Sequence, residues 1–218
     1  MSSQMRVQEQ EKETGRIEAF SDGVYAIAIT LLVLDIKVPA LEEAESIGLW
    51  AALMERLPNF IAFAVSFFFI LVMWINHHRL FTAIRRADNN LLILNGLLLF
   101  GISFVPFSTA LLAEHIDHDG LVALLVYNGW YVLLAIFFNA LWWYASYNNR
   151  LFTEKTDPTL VRHLSRQFIL GPFAYGLVML LGFINPYLSL AGTVVMAIFY
   201  ALPNQHMTRL MAGDSHPA

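Results

Sequence analysis

The chain has 218 residues, of which 57% are hydrophobic and only 14% charged, with a formal net charge of −4. A soluble domain carries about 25% charged residues, so the composition excludes an ordinary water-soluble globule and describes an integral membrane protein. There are no cysteines, which excludes disulfides, thiol nucleophiles and thiolate metal sites; no metal, cofactor or nucleic-acid partner is expected.

At about 20 residues per spanning helix the chain has room for six spans. Residues 1–15, polar and mixed in charge, read as a cytoplasmic tail with no signal-peptide pattern. The first span covers 16–38 and ends where Asp35, Lys37 and Pro39 interrupt the apolar run. Within it, Asp22 is the only charge between Phe20 and Leu34. A carboxylate at this depth costs roughly 2.5–3.5 kcal/mol on insertion scales, so it should face protein or water. At about 100° per residue, Gly23, Ile27, Leu31 and Leu34 fall on one stripe with Phe20 below them, and Asp22 points to the other side.

An acidic loop with Glu42, Glu43, Glu45 and Glu55 leads to Pro58, which suits the first turn of a second span over 58–79. A basic turn with Arg85 and Arg86 precedes a third span over 89–112, in which Pro106 predicts a kink. The acidic connection 114–120 leads to a fourth span over 121–144, ending in Trp142, Trp143 and Tyr144, an aromatic end that belongs at a membrane interface. His115 and His118 are ligand types, yet a solvated acidic loop is the favoured reading. A long basic loop follows, with Asp157 and Pro158 capping a short surface helix, then spans over 167–184 and 186–202 and a polar tail at 206–218. The whole is an all-α, polytopic six-helix domain over 16–205, without a P-loop.

Eleven of the thirteen Lys and Arg residues lie on one side of this layout, with Lys37 and Arg56 on the other. The positive-inside bias places both termini in the cytoplasm. It also gathers Asp35, the four loop glutamates, Glu114, Asp117 and Asp119 at the outer mouth, where they would enrich cations. There is no glycine-rich phosphate loop, G-x-S-x-G or H-E-x-x-H, so an enzyme is not expected. A TVGYG-type filter is absent as well.

Read from the residues alone, the stripe of Ile27, Leu31 and Leu34 is a lipid-facing or packed surface. However, Arg16-x3-Phe20-Ser21-Asp22, followed by Ala26-Ile27 and Thr30-Leu31, resembles the signature of the transmembrane protein 175 family of potassium channels, found in endolysosomes and prokaryotes. The Trp and His near the end of the second span and the chain length fit too. The resemblance implies a moderately selective potassium channel in a prokaryotic inner membrane, its single-repeat chains forming a homotetramer. It implies a pore lined by the first helix, with Ile27 as the narrowest ring, Leu31 and Leu34 further out, and Gly23 and Thr30 on the same helix. Arg16, Phe20, Ser21 and Asp22 would anchor that helix against Trp74, Asn76 and His77. The alternative is a proton-coupled transporter using Asp22 and His77.

Overall fold

The computed structural model describes residues 3–152, 156 and 158–201, with side chains from residue 14 onward except those of Leu160, His163 and Gln167. Nine α-helices are found among them: α1 (Ser3–Leu31), α2 (Leu41–Ile47), α3 (Leu49–Glu55), α4 (Leu57–Ala83), α5 (Asn89–Ser103), α6 (Val105–His115), α7 (Gly120–Ser146), α8 (Pro158–Leu181) and α9 (Pro186–Ala201). Five stretches are long and apolar enough to cross a membrane, namely Thr14–Asp35, Leu57–Ala83, Asn89–His115, Gly120–Asn149 and Leu164–Leu181. Over the described residues the apolar α9 spans 16 residues, against the roughly 20 that a perpendicular span needs.

Several boundaries differ from the sequence reading, each for a local reason. The helix of the first span starts at Ser3, inside the expected tail, and ends in a tighter 3-10 turn at Leu32–Asp35. The loop after the first span is two short helices hinged at Gly48, whose φ of 87° is open to glycine and costly for other residues. Pro158 opens the long α8 itself instead of a separate surface helix, because the 158–181 stretch contains no breaker until Pro172. The expected Asp157 cap, the end of the last span at 202, and the tail at 206–218 lie outside the described residues.

The kink in the third span is real and sits just ahead of Pro106. The proline ring cannot donate to the Ile102 carbonyl and crowds it, so α5 closes at Ser103 and α6 restarts at Val105. The Gly101 carbonyl there accepts from the Phe104 N–H at 3.2 Å and from Trp130 Nε1–H at 2.8 Å. A second proline, Pro172, lies inside α8. The carbonyl it deprives of a partner belongs to Phe168, four residues back, and Asn139 of α7 donates to it at 2.6 Å.

The centre of the bundle is α7, which packs against α5, α6, α8 and α9 and buries Tyr127, Tyr131, Leu134, Leu141 and Trp142 completely. Polar residues join the helices where lipid could offer no partner. Thr109 donates to Ser66, which bonds Tyr127, and on the other side Asn128 donates to Ser189 while Thr193 donates to Asn128. The first helix is peripheral. It touches chiefly α4 and α5 and leaves a broad face free of the rest of the protomer.

Candidate functional site

The two faces of α1 have opposite environments. Ile17, Ser21, Tyr25 and Ala28 are buried on the side that packs against α4 and α5, and Leu32, in the 3-10 turn that follows, is buried where that turn meets α4 and α6, Tyr25 and Leu32 being 1% exposed. On the other face Ile27, Leu31 and Leu34 are 61%, 42% and 71% exposed, and Gly23, Ala26 and Thr30 share that exposure. The Thr30 hydroxyl donates back to the Ala26 and Ile27 carbonyls at 3.1 and 2.9 Å, so it adds no free donor to the stripe.

Two polar contacts hold the buried side. Trp74 Nε1–H donates to Asp22 Oδ1 at 2.7 Å. Separately, Asn95 of α5 donates through Nδ2 to Ser21 Oγ at 3.0 Å, and the Ser21 hydroxyl donates onward to the Ile17 carbonyl at 2.8 Å. Asn95 Oδ1 lies 2.9 Å from His77 Nε2. A carbonyl oxygen can only accept, so this contact fixes the His77 tautomer with its proton on Nε2. The Tyr25 ring leans on the His77 imidazole at 5.5 Å between centroids. About half-way along α1, Glu18 Oε2 is 3.8 Å from His78 Nδ1.

The expected group of donors around Asp22 is therefore divided. Trp74 reaches it, whereas His77 bonds Asn95, and Asn76 donates to the Val72 carbonyl and accepts from Arg79. The cause is angular. At about 100° per residue, positions 74, 76 and 77 of one helix cannot all point at a single carboxylate. Asp22 itself is exposed at the edge of the buried face, in contact with both Trp74 and the open side. Phe20 is 67% exposed and touches the same open side as Ile27, so within the protomer it holds nothing in place. Arg16 and Phe20 instead line an open cleft with Asp88, Asn89 and Leu92. Asn95 was missed by the sequence reading, although it is the only strongly polar side chain between Asn90 and Ser103.

At the α4–α5 turn, the N–H groups of Arg85 and Arg86 donate to the Leu151 carbonyl at 3.0 and 3.2 Å. Asp88 caps α5 by accepting from the Leu91 N–H at 2.9 Å and takes the Tyr144 hydroxyl at 2.7 Å. Partial burial would raise the Asp88 carboxyl, but these bonds and the nearby Arg150 outweigh it and hold it below its ordinary value.

The family model of the endosomal/lysosomal potassium channel TMEM175 matches residues 16–106. A potassium channel of Chamaesiphon minutus is 48% identical over 194 residues, covering 88% of this chain and 96% of its own. The chain belongs to the TMEM175 family. This is a family of ion channels and not of enzymes. A crystal structure of a lysosomal potassium-selective TMEM175 homolog from Chamaesiphon minutus superposes with a TM-score of 0.81 at 46% identity, over 88% of this chain and 97% of that one. The all-α membrane fold is thus the TMEM175 fold. The endosomal/lysosomal proton channel TMEM175 of Bos taurus is 42% identical over 99 residues, 43% of this chain and 21% of its length.

Proposed function

We propose that the chain is one subunit of a moderately selective potassium channel, a homotetramer whose pore is lined by α1. The observation that carries this reading is the open face of α1. A helix whose far side is locked by Trp74, Asn95 and close packing presents Ile27, Leu31 and Leu34 to something outside the protomer. Lipid could cover an aliphatic stripe, but the exposed half of this helix also bears Gly23, Ala26, Thr30 and Asp22, small and polar residues that favour close approach of other helices. One such helix cannot enclose a pore, so several copies are needed, and four is the number that the family resemblance implies. The potassium channel name of the Chamaesiphon minutus relative supports the choice of ion.

Ile27 offers no oxygen in place of water. A ring of such side chains acts as a hydrophobic constriction that closes by dewetting, and conducts when it is wide enough to keep the ion partly hydrated. Potassium, which holds its water less tightly than sodium, then passes more easily. Phe20, exposed within the protomer, would find its contacts on a neighbouring subunit, and both termini would face the cytoplasm. A coupled transporter using Asp22 and His77 is less well supported, because the two residues sit on separate hydrogen-bonded arms with no shared hydrogen-bond partner among the described residues.

Purified protein in liposomes separates these readings. A channel gives passive, voltage-driven potassium flux and unitary currents, and mass measurement in detergent gives four chains. Flux that requires a pH gradient would establish the transporter, and no flux in either assay would leave α1 as a scaffold.

A further inference from the structure

The two ends of the bundle treat their cations differently. At the α2–α3 end, Lys37 is 3.1 Å from Glu114 and Arg56 is 2.7 Å from Glu43, so both cations are neutralised within the chain. At the opposite end Arg85, Arg86 and Arg150 are all exposed, and none lies within 4.0 Å of a carboxylate among the described residues. The fold assembles these three from separate places in the sequence. The Arg85 and Arg86 N–H bonds to the Leu151 carbonyl pin the α4–α5 turn beside the end of α7. Arg150 places its guanidinium 5.0 Å from the centre of the Tyr144 ring. Trp143 and Tyr147, also exposed, flank this group.

We propose that Arg85, Arg86 and Arg150 form a binding site for the headgroup of an anionic phospholipid. Exposed Trp and Tyr mark the depth at which a membrane protein meets the headgroup layer, and the end of α7 that carries them is where Arg150 and the backbone of the Arg85–Arg86 turn come together. Guanidinium pairs with phosphate oxygens through a planar fork that an ammonium lacks, and all three residues are arginine. Two carboxylates lie near and offset part of this charge, Asp88 toward Arg150 and Glu18 toward Arg85. Neither pairs with one of the three arginines within 4.0 Å among the described residues, and three cations against two anions leave the group net positive. A lipid held here would also reach the channel core by contact. Arg150 lies over Tyr144, Tyr144 bonds Asp88, and Asp88 caps α5, whose Asn95 holds Ser21 of α1. The site depends on membrane insertion and not on the pore reading, so its test measures binding and needs no current.

The full chain in detergent micelles is titrated with phosphatidylglycerol or phosphatidylcholine and bound lipid is counted by native mass spectrometry. Phosphatidylglycerol should be retained in preference. An arginine near a membrane surface is worth about fivefold in affinity for anionic lipid, so Arg85→Gln/Arg86→Gln/Arg150→Gln should weaken retention on the order of a hundredfold. Lys37→Gln at the other end should leave it unchanged. Should the triple variant elute unlike the parent oligomer, Arg150→Gln alone should still lose roughly fivefold. Equal retention by the parent and Arg150→Gln, or no preference over phosphatidylcholine, overturns the site. Displacement of the lipid by millimolar glycerol 3-phosphate would mean a site for small soluble phosphates and would overturn the lipid assignment.

Discussion

Trp74 Nε1–H and Asp22 Oδ1 meet at 2.7 Å, joining α4 to the edge of α1 where the buried face gives way to the open one. Trp74→Phe removes the donor and keeps the ring, whereas Asp22→Asn keeps an oxygen acceptor and removes the charge. A hydrogen bond to a charged group is stronger than one between neutral groups. Both substitutions should therefore lower the yield of assembled oligomer severalfold before changing ion preference, with Trp74→Phe affecting the angle of α1 at least as much. Size-exclusion profiles of the two variants beside the parent provide the check. A stable Asp22→Asn oligomer with normal potassium current but no proton movement would transfer the role of Asp22 from anchoring to transport.

Asn139 and Pro172 form a pair across α7 and α8, because the amide donates to the Phe168 carbonyl that the proline cannot serve. An acceptor buried without a partner costs about 1–3 kcal/mol, so Asn139→Ala should destabilise by that amount. In a Pro172→Ala background the alanine N–H can return to Phe168, and the cost of losing Asn139 should fall by about 1 kcal/mol. A double-mutant cycle of thermal unfolding in detergent measures the difference. Additive costs would show that Asn139 is needed for something other than this carbonyl.

The Asp88 cap should give stability a dependence on pH. Burial alone would push its carboxyl up, but the Tyr144 hydroxyl, the Leu91 N–H and Arg150 together hold it below the ordinary value. Its folded value is thus lower than its unfolded one. The stabilisation is present in full above about pH 4 and is lost as pH falls through the folded value. Tyr144→Phe removes one of the bonds that lower the carboxyl and should move the acid unfolding midpoint upward. Asp88→Ala should cost about 0.5–2 kcal/mol as a lost helix cap and abolish that part of the pH dependence. An unchanged acid midpoint in Tyr144→Phe would mean that the hydroxyl contact does not stabilise the carboxylate.

Much of this was legible in the sequence, and the reasons for the rest are physical. Long apolar runs, Pro58 and Pro106 located the long apolar helices and the kink, because a bilayer forces helices and proline removes a donor regardless of tertiary context. The arms of the anchor were harder to read. Trp74, Asn76 and His77 look like one group in sequence, and only their angular spread on α4 assigns them to Asp22, Val72 and Asn95. Arg150 is distant along the chain from Arg85 and Arg86, and the Leu151 carbonyl brings the two segments together. Phe20 carries the family signature and lies below the exposed stripe, where periodicity put it, but what covers it was not legible, since pattern does not distinguish lipid from a second copy of the chain.

Neutralising the outer glutamates should separate screening from structure. Glu42 and Glu45 are exposed, whereas Glu43 takes Arg56 through both oxygens, at 3.0 and 2.7 Å, in a part-buried pair. Glu42→Gln/Glu45→Gln should lower conductance at low ionic strength and recover at high salt, because exposed charges are screened over about 10 Å at 0.1 M. Glu43→Gln should instead loosen the contact between α2 and the start of α4 at any salt. Single-channel currents at low and molar salt distinguish the two, and a deficit of Glu42→Gln/Glu45→Gln that persists in molar salt would refute a vestibule that works by charge.

The substitution with most at stake is Ile27→Asn. A carboxamide at the constriction would wet it and supply oxygen ligands that sodium can use, so current should rise and the preference for potassium should weaken. Leu31→Asn and Leu34→Asn should act in the same direction more mildly if the pore widens outward. The control must be exposed, apolar and away from α1. Ile29 packs against the core and Leu32 is fully buried, so asparagine there would test folding. Ile198 on α9, 55% exposed, meets the requirement, and Ile198→Asn should leave current and ion preference unchanged. Planar-bilayer recordings under opposed potassium and sodium gradients give both quantities from one trace. If Ile27→Asn behaves like Ile198→Asn in amplitude and reversal potential, the open face of α1 is turned to lipid and the pore lies elsewhere in the assembly.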